Sequence, residues 1–317
     1  MELVLTDESM PAERLDGRPV ARALRERARD ELQRFQNVYS VTPGLAIVLV
    51  GDDPSAHAYR DAIVKASAGV EIPTRVVSLP ATVEQRRLNC AIIELNVDDA
   101  IHGILVLQPL PPHLARVEIA DLIDPLKDID GITTYNAGRL FHDDRDALAP
   151  STPSGGMALL KHYGIPLAGR HAVVIGRSPV VGRPMAAMLL AENATVTTCH
   201  SRTVDIASFT RHADILVAAV GKPNTVSAEM VKPGATVVDF GVNFVDGRMT
   251  GDVDAESVAE VAGWLTPVPG GTGRVTTAIL LRNTIKAATL RVQRKSGDGC
   301  DTGGTVGDDR LGVPDAE

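Results

Sequence analysis

His171-Ala-Val-Val-Ile-Gly-Arg-Ser-Pro-Val-Val-Gly-Arg-Pro184 decides the fold. It opens as a short apolar run of strand length, turns at Gly176, and passes into a helical stretch from Met185 to Glu192. A strand, a glycine turn and a helix in that order aim backbone N–H groups and a helix N-terminus at an anion. Gly176 and Gly182 bracket the turn without the middle glycine of the usual dinucleotide fingerprint, so this spacing also suits an ordinary tight βα turn. The next strand, expected over Thr195–Thr198, narrows the choice. It leads into Cys199-His-Ser-Arg-Thr203, where a chain selecting NAD places an acid for the ribose 2′-hydroxyl. Ser201 and Arg202, with Arg177 in the glycine turn, offer a hydroxyl and guanidinium groups instead. Those are donors for a 2′-phosphate, so the expected cofactor is NADP.

Further strands are expected at Ile215–Ala219 and Thr236–Phe240, with a hairpin turn at Val245-Asp-Gly-Arg248 and a helix over Thr276–Arg294. Toward the N-terminus the same alternation recurs. Val20, Leu24, Ala28 and Leu32 mark a helix within Arg18–Tyr39, and Gly44-Leu-Ala-Ile-Val-Leu-Val50 reads as a buried strand. After it come a helix from Ser55, a strand over Thr74–Leu79, a helix over Val83–Asn96 and a strand over Gly103–Leu107. The expected fold class is therefore α/β with two domains, each built on a parallel sheet. Pro150-Ser-Thr-Pro153 marks the boundary. Residues 296–317, rich in glycine and acid, are expected to form a disordered tail.

The chain has 317 residues and a formal charge of −8, and its 44% apolar content is that of an ordinary globular protein. The acidity argues against nucleic acid as a partner. Cys90, Cys199 and Cys300 have neither disulfide-framework nor zinc spacing, so no metal is expected and a reducing, cytoplasmic setting is read. Neither a signal peptide nor an apolar run long enough to span a membrane is evident.

Five stretches taken together resemble the bifunctional methylenetetrahydrofolate dehydrogenase/methenyltetrahydrofolate cyclohydrolase family. They are Pro43–Gly51, Lys127-Asp-Ile-Asp-Gly131 with Tyr135-Asn-Ala-Gly-Arg139, Gly176–Pro184, Ala219-Val-Gly-Lys-Pro223 and Thr266-Pro-Val-Pro-Gly-Gly-Thr-Gly273, in the family's order. The resemblance implies an N-terminal catalytic domain over 13–149, completed by a returning C-terminal helix over 274–294, a Rossmann-like NADP-binding domain over 150–273, a tetrahydrofolate derivative as substrate and a homodimer. It implies Tyr59 and Asp130 as catalytic and folate-contacting residues, with Pro269, Gly270, Gly271 and Thr276 also on the folate. It implies Thr152, Gly176, Arg177, Ser178, Val181, Gly182, Ser201, Arg202, Gly221 and Val242 on the cofactor.

The chain departs from the family's pattern at the centre of its chemistry. The family's catalytic lysine, four residues after the tyrosine, is Ile63 in this chain, and the nearest amine is Lys65, roughly on the opposite helical face. The family's glutamine is Leu107, with Gln108 following, and one residue on a strand turns a side chain to the other face. Lys65 and Gln108 are thus the candidates to replace the missing groups. Arg274-Val275 stands where the family commonly has Pro-Met. Oxidising the methylene bridge removes a hydride and needs no proton transfer, whereas hydrolysing the methenyl cation needs a positioned acid/base. The expectation is an NADP-dependent dehydrogenase whose cyclohydrolase step suffers. A catalytically silent folate- or NADP-binding regulator, or an enzyme for a different one-carbon substrate, is consistent with the same residues.

Overall fold

The computed structural model describes residues 11–295, so the expected tail at 296–317 lies outside the described residues. The chain divides into two compact units. A C-terminal unit joins the stretch up to Arg18 with Gly156–Gly273, and an N-terminal unit joins Pro19–Gly155 with the segment from Arg274 onward.

Strand β1 (Glu13–Arg14) belongs to the C-terminal unit, and helix α1 (Gly17–Tyr39) carries the chain into the other. Val20, Leu24, Ala28, Leu32 and Phe35 of α1 are buried, at the spacing of one helical stripe. The N-terminal unit then alternates β2 (Leu45–Val50), α2 (Pro54–Ala68), β3 (Thr74–Leu79), α3 (Gln85–Val97), β4 (Gly103–Val106), α4 (Arg116–Leu122) and α5 (Thr134–Phe141). Its three strands are parallel in the order β3-β2-β4. A single parallel rung, Ile104 with Asp128, adds a fragment of a fourth beside β4.

Every residue of β2 is buried because both faces of the sheet are covered. Leu45, Ile47 and Leu49 pack in one cluster with Leu32, Ile63 and Leu281, while Ala46, Val48 and Val50 pack in another with Leu88, Ile92 and Ile119. The first cluster is completed from the far end of the chain, by Leu280, Leu281 and Ile285.

α6 (Ser151–His162) leads into the C-terminal unit, which contains β5 (His171–Ile175), α7 (Gly182–Ala191), β6 (Thr195–Cys199), α8 (Ile206–Thr210), β7 (Ile215–Ala218) and β8 (Thr236–Asp239). A hairpin follows, β9 (Asn243–Val245) and β10 (Arg248–Thr250), turning at Asp246-Gly247, which both have positive φ. The unit ends with α9 (Ala255–Ala259) and β11 (Trp264–Leu265), and α10 (Thr272–Lys295) returns the chain to the N-terminal unit. The main sheet is parallel throughout, in the order β1-β11-β8-β7-β5-β6.

Helices α4, α5 and α6 were not expected. α6 is hidden by Pro153, Gly155 and Gly156, yet Pro153 falls in the first turn, where no intrahelical bond needs its missing N–H. α7 begins at Gly182 rather than Met185, and α10 at Thr272 rather than Thr276, because glycine at each start obscured the helical pattern. The division between the compact units falls inside α6, between Gly155 and Gly156.

Candidate functional site

Both sheets reverse their strand order once. In the C-terminal unit β6 lies to one side of β5 and β7 to the other, and in the N-terminal unit β3 and β4 flank β2. Ligands of open α/β sheets bind beyond the carboxyl ends of the strands at such a reversal. The residues singled out from the sequence lie largely on these two edges.

In the C-terminal unit the turn after β5 and the chain leaving β7 are in intimate contact. The Ala219 amide donates to the Ile175 carbonyl at 2.8 Å, and the Gly176 amide to the Cys199 carbonyl at 2.9 Å. Gly176 has φ +130°, and a Cβ there would sit 2.2 Å from the Ala219 carbonyl oxygen. A Cβ on Gly182 would sit 2.3 Å from the Gly176 carbonyl oxygen, so both positions demand glycine. Ser178 Oγ accepts from the amides of Val181 and Gly182, at 3.1 and 3.4 Å, fixing the entry into α7. Arg177, Ser201 and Arg202 are exposed. The turn holding the last two is tied by His200 Nδ1, which accepts from the Arg202 amide at 3.1 Å, and by Thr203 Oγ1, which accepts from the His200 amide at 2.9 Å. Gly221, in the turn after β7, is open, with nothing within 4 Å of a Cβ placed on it, and Val242 is exposed beside the hairpin. A glycine cradle beside open donors suits a dinucleotide with a 2′-phosphate. Thr152 lies in the first turn of α6. In the Thr266–Gly273 loop the Val268-Pro269 peptide is cis, and the Gly271 amide donates to the Pro267 carbonyl at 2.7 Å.

At the edge of the N-terminal unit, Asp53 caps α2 by accepting from the Ala56 amide at 2.9 Å, and Pro54 supplies the first helical residue. One turn on, Tyr59 packs against the first apolar cluster. Its phenol is held well above the ordinary range, first by burial and then by the negative charge of Asp130. Asp130 follows the Asp128 rung. The Asp128 carboxylate accepts from the amides of Ile132 and Thr133, at 3.0 and 2.9 Å, and from Asn136 Nδ2 at 2.9 Å, so it folds the loop that presents Asp130. The Ser151 hydroxyl donates to Asp130, and Asn283 Nδ2 from α10 ties the carbonyls of Ile129 and Ala149, at 2.7 and 3.0 Å. Burial pushes the Asp130 carboxyl up to about 6; the Ser151 bond lowers it and the Asp128 charge raises it. Thr276 is buried in the first part of α10.

Lys65 and Gln108 do not join Tyr59 and Asp130. Ile63 is wholly buried and Lys65, two residues on, is exposed, because a 200° step around the helix carries a side chain away from the buried face. On β4 the ladder runs on without a bulge, since the Leu107 amide donates to the Val48 carbonyl at 2.9 Å. Leu107 therefore keeps the face of Leu105 in the first apolar cluster, and Gln108, before a cis bond to Pro109, is exposed. Ile63 and Leu107 belong to the same cluster.

The sequence reading missed Ser151, Asp128 and Asn283. Ser151 and Asp128 stand inside motifs it quoted, but a side chain that orients another leaves no spacing signal. It also missed Lys127, wholly buried, whose Nζ donates to the carbonyls of Leu95 and Asp98 at the end of α3, each at 2.8 Å. Burial pulls that amine down to about 8. Among the described residues no group of three or more His, Cys, Asp or Glu side chains is placed to hold a metal, and no helix is long and apolar enough to cross a membrane.

Comparison with known proteins agrees with this arrangement. Residues 15–130 match the family model of the tetrahydrofolate dehydrogenase/cyclohydrolase catalytic domain, and residues 150–292 that of its NAD(P)-binding domain. A bifunctional protein FolD from Roseiflexus sp. (strain RS-1) is 50% identical over 275 residues, 86% of this chain and 95% of that protein. The solved bifunctional enzyme FolD of Campylobacter jejuni superposes with a TM-score of 0.84 at 41% identity, covering 87% of this chain and 98% of that one. The Trypanosoma brucei FolD, solved with NADP cofactor and inhibitor, gives 0.85 at 37% identity, covering 90% and 99%. With both domains matched in order and relatives of this closeness over nearly their whole length, the chain belongs to the tetrahydrofolate dehydrogenase/cyclohydrolase family.

Proposed function

We propose that this chain oxidises 5,10-methylenetetrahydrofolate to the 5,10-methenyl compound with NADP, and that it hydrolyses the methenyl product far more slowly than its bifunctional relatives do. The observation that carries the second half is the burial of Ile63 and Leu107 in one apolar cluster. At the two positions where the resemblance implies a lysine and a glutamine, the side chains are hydrocarbon. NADP, when bound, supplies the nicotinamide that accepts the hydride. Gly176 and Gly182 would let the backbone approach the pyrophosphate, while Arg177, Ser201 and Arg202 would donate to the 2′-phosphate and favour NADP over NAD. The solved Trypanosoma brucei relative with NADP supports this choice.

On the folate side, Tyr59 offers its ring as a platform for the aminobenzoyl group, and its phenol stays protonated near neutrality. Asp130, oriented by Ser151, accepts from the amide and amino groups of the pterin. Orientation of this kind is sufficient for hydride loss. Hydrolysis asks more, because water must give up a proton while the departing ring nitrogen gains one. The Lys65 ammonium is exposed on another side of α2 and does not serve that step.

Incubation of purified protein with methylenetetrahydrofolate and NADP⁺, following methenyl and formyl products separately, tests the proposal. Methenyl compound should accumulate. Formyl product appearing as fast as methenyl compound forms would overturn it. The cytoplasmic setting and the homodimer belong to the same proposal, and light scattering should read twice the chain mass of 33.5 kDa.

A further inference from the structure

One buried carboxylate in the C-terminal unit grips two turns at once. Asp252, just beyond β10, is wholly buried. Its Oδ2 accepts from the amides of Val220 and Gly221, at 2.5 and 2.9 Å, and its Oδ1 from the Lys222 amide at 3.0 Å. Three successive amides of the turn after β7 thus converge on a single side chain. Oδ1 also accepts from Asn243 Nδ2 at 3.0 Å, and Asn243 immediately follows Val242. Gly221 and Val242, the residues assigned to the cofactor in these two segments, are joined through this one carboxylate.

Asp252 is itself held in place. Its amide donates to Asp239 Oδ1 at 3.0 Å, and Asp239, at the carboxyl end of β8, also accepts from the amides of Gly241 and Val253, at 2.7 and 3.0 Å. The fit is close, for a Cβ on Gly241 would lie 2.2 Å from the Asp252 amide nitrogen. Each partner of the Asp252 carboxylate is a neutral N–H group, three from the main chain of the Val220–Lys222 turn and one from the Asn243 side chain, an arrangement that shapes backbone.

We propose that Asp252 is a positioning residue of the cofactor site: its carboxylate sets the Val220–Lys222 turn and the Val242–Asn243 segment in one geometry that the dinucleotide reads. The inference rests on the assignment of Gly221 and Val242 to the cofactor. Asp252→Asn tests it, because the amide keeps one acceptor oxygen and turns an NH₂ group toward donors. In the full-length protein, calorimetric NADP⁺ binding should weaken about tenfold, the loss expected for hydrogen bonds to a charged acceptor, while the KM for methylenetetrahydrofolate stays within about twofold. Amide exchange without cofactor should accelerate at Gly221 and Lys222 and stay unchanged in β5 and β7. A merely structural role predicts the opposite pattern, with exchange rising through the sheet and both KM values moving together, and that result would overturn the proposal. So would unchanged NADP⁺ affinity.

Asn243→Ala keeps the test open should Asp252→Asn fail to fold. It removes one donor and leaves the carboxylate, and NADP⁺ affinity should fall about threefold. Unchanged affinity in a folded Asn243→Ala protein overturns the link between the two turns. If the unmodified protein fails to bind NADP⁺ at all, the cofactor assignment falls and the proposal with it. Faster exchange at Gly221 and Lys222 in Asp252→Asn would still show the carboxylate closing its turn, which separates that failure from a failure of the clamp.

Discussion

The chain leaving β5 and the chain leaving β4 both meet the reversal point of their sheets, yet they are built from different material. After β5 the site is backbone: glycines packed against carbonyl oxygens, amides gathered by Ser178, and exposed donors beyond. After β4 and along α2 the site depends on what each side chain carries, and two positions there carry hydrocarbon. The difference teaches that a parallel sheet can exchange polar side chains around its carboxyl edge for apolar ones at little structural cost. An isoleucine and a leucine fill the core as well as or better than a lysine and a glutamine would, whereas a methyl group on Gly182 would collide with the main chain.

The sharpest attack on this comparison is to return charge to α2. Ile63→Lys places an ammonium in a wholly buried apolar cluster and should cost on the order of 4 kcal/mol in urea unfolding. Adding Leu107→Gln with Gln108→Leu restores a polar neighbour on the same face of the strand. That triple variant should recover part of the loss and raise the yield of formyl over methenyl product. Full stability in the single variant would show that the cluster is looser than its burial indicates.

Gly182→Ala attacks the other region. With its Cβ 2.3 Å from a main-chain oxygen, the turn must open, and NADP⁺ affinity measured by calorimetry should fall about 100-fold, while folate-side properties hold. Wild-type affinity would mean that the backbone there is not the binding element.

Protonation sharpens the side-chain half. The folded Asp130 carboxyl keeps its proton to about 6, whereas an unfolded aspartate loses it near 4. The stability it contributes is therefore complete below about pH 4 and is lost as pH rises through about 6. Asp130→Asn does not ionise, so between about pH 4 and pH 7 its stability should gain on the unmodified protein by about 2 kcal/mol. Asp239 is also raised to about 6, by burial first, so the difference between the two proteins isolates Asp130 where either curve alone does not. Parallel curves would show that Asp130 ionises as freely folded as unfolded.

The smallest expected effect is at the exposed end of the cofactor turns. Arg202→Asp should weaken NADP⁺ about tenfold with little change for NAD⁺, read as a ratio of KM values. Tighter NAD⁺ than NADP⁺ binding by the unmodified protein would break the assignment itself.

Much of the backbone half is legible in the amino-acid order alone. A glycine between an apolar strand and a helix announces a turn, and β3 spans the Thr74–Leu79 expected of it. The displacement of Leu107 and Gln108 is also readable, because a strand has a period of two, but only the ladder bond from Leu107 to Val48 excludes a bulge. Ser151, Asp252 and Asn283 are not legible. Each acts on atoms far away in sequence, Asn283 on carbonyls 134 and 154 residues earlier, and no local pattern encodes such a pairing. α6 escapes because Pro153 and two glycines read as a linker until the helix start is seen to tolerate them.

The return of α10 to the N-terminal unit has a consequence for how the protein is made. Leu280, Leu281, Ile285 and Ala288 complete the cluster that covers β2, and Lys286 Nζ binds the carbonyls of Arg145 and Ala147, at 2.6 and 3.0 Å. A ribosome delivers these residues after the whole C-terminal unit, so the half of the protein synthesised first is the half finished last. Through translation of more than a hundred residues, the nascent chain carries an apolar sheet face awaiting its cover, which is a natural place for a chaperone to hold. A fragment released before α10 would keep Tyr59 and Asp130 but lose Thr276, and would expose the floor on which Tyr59 rests.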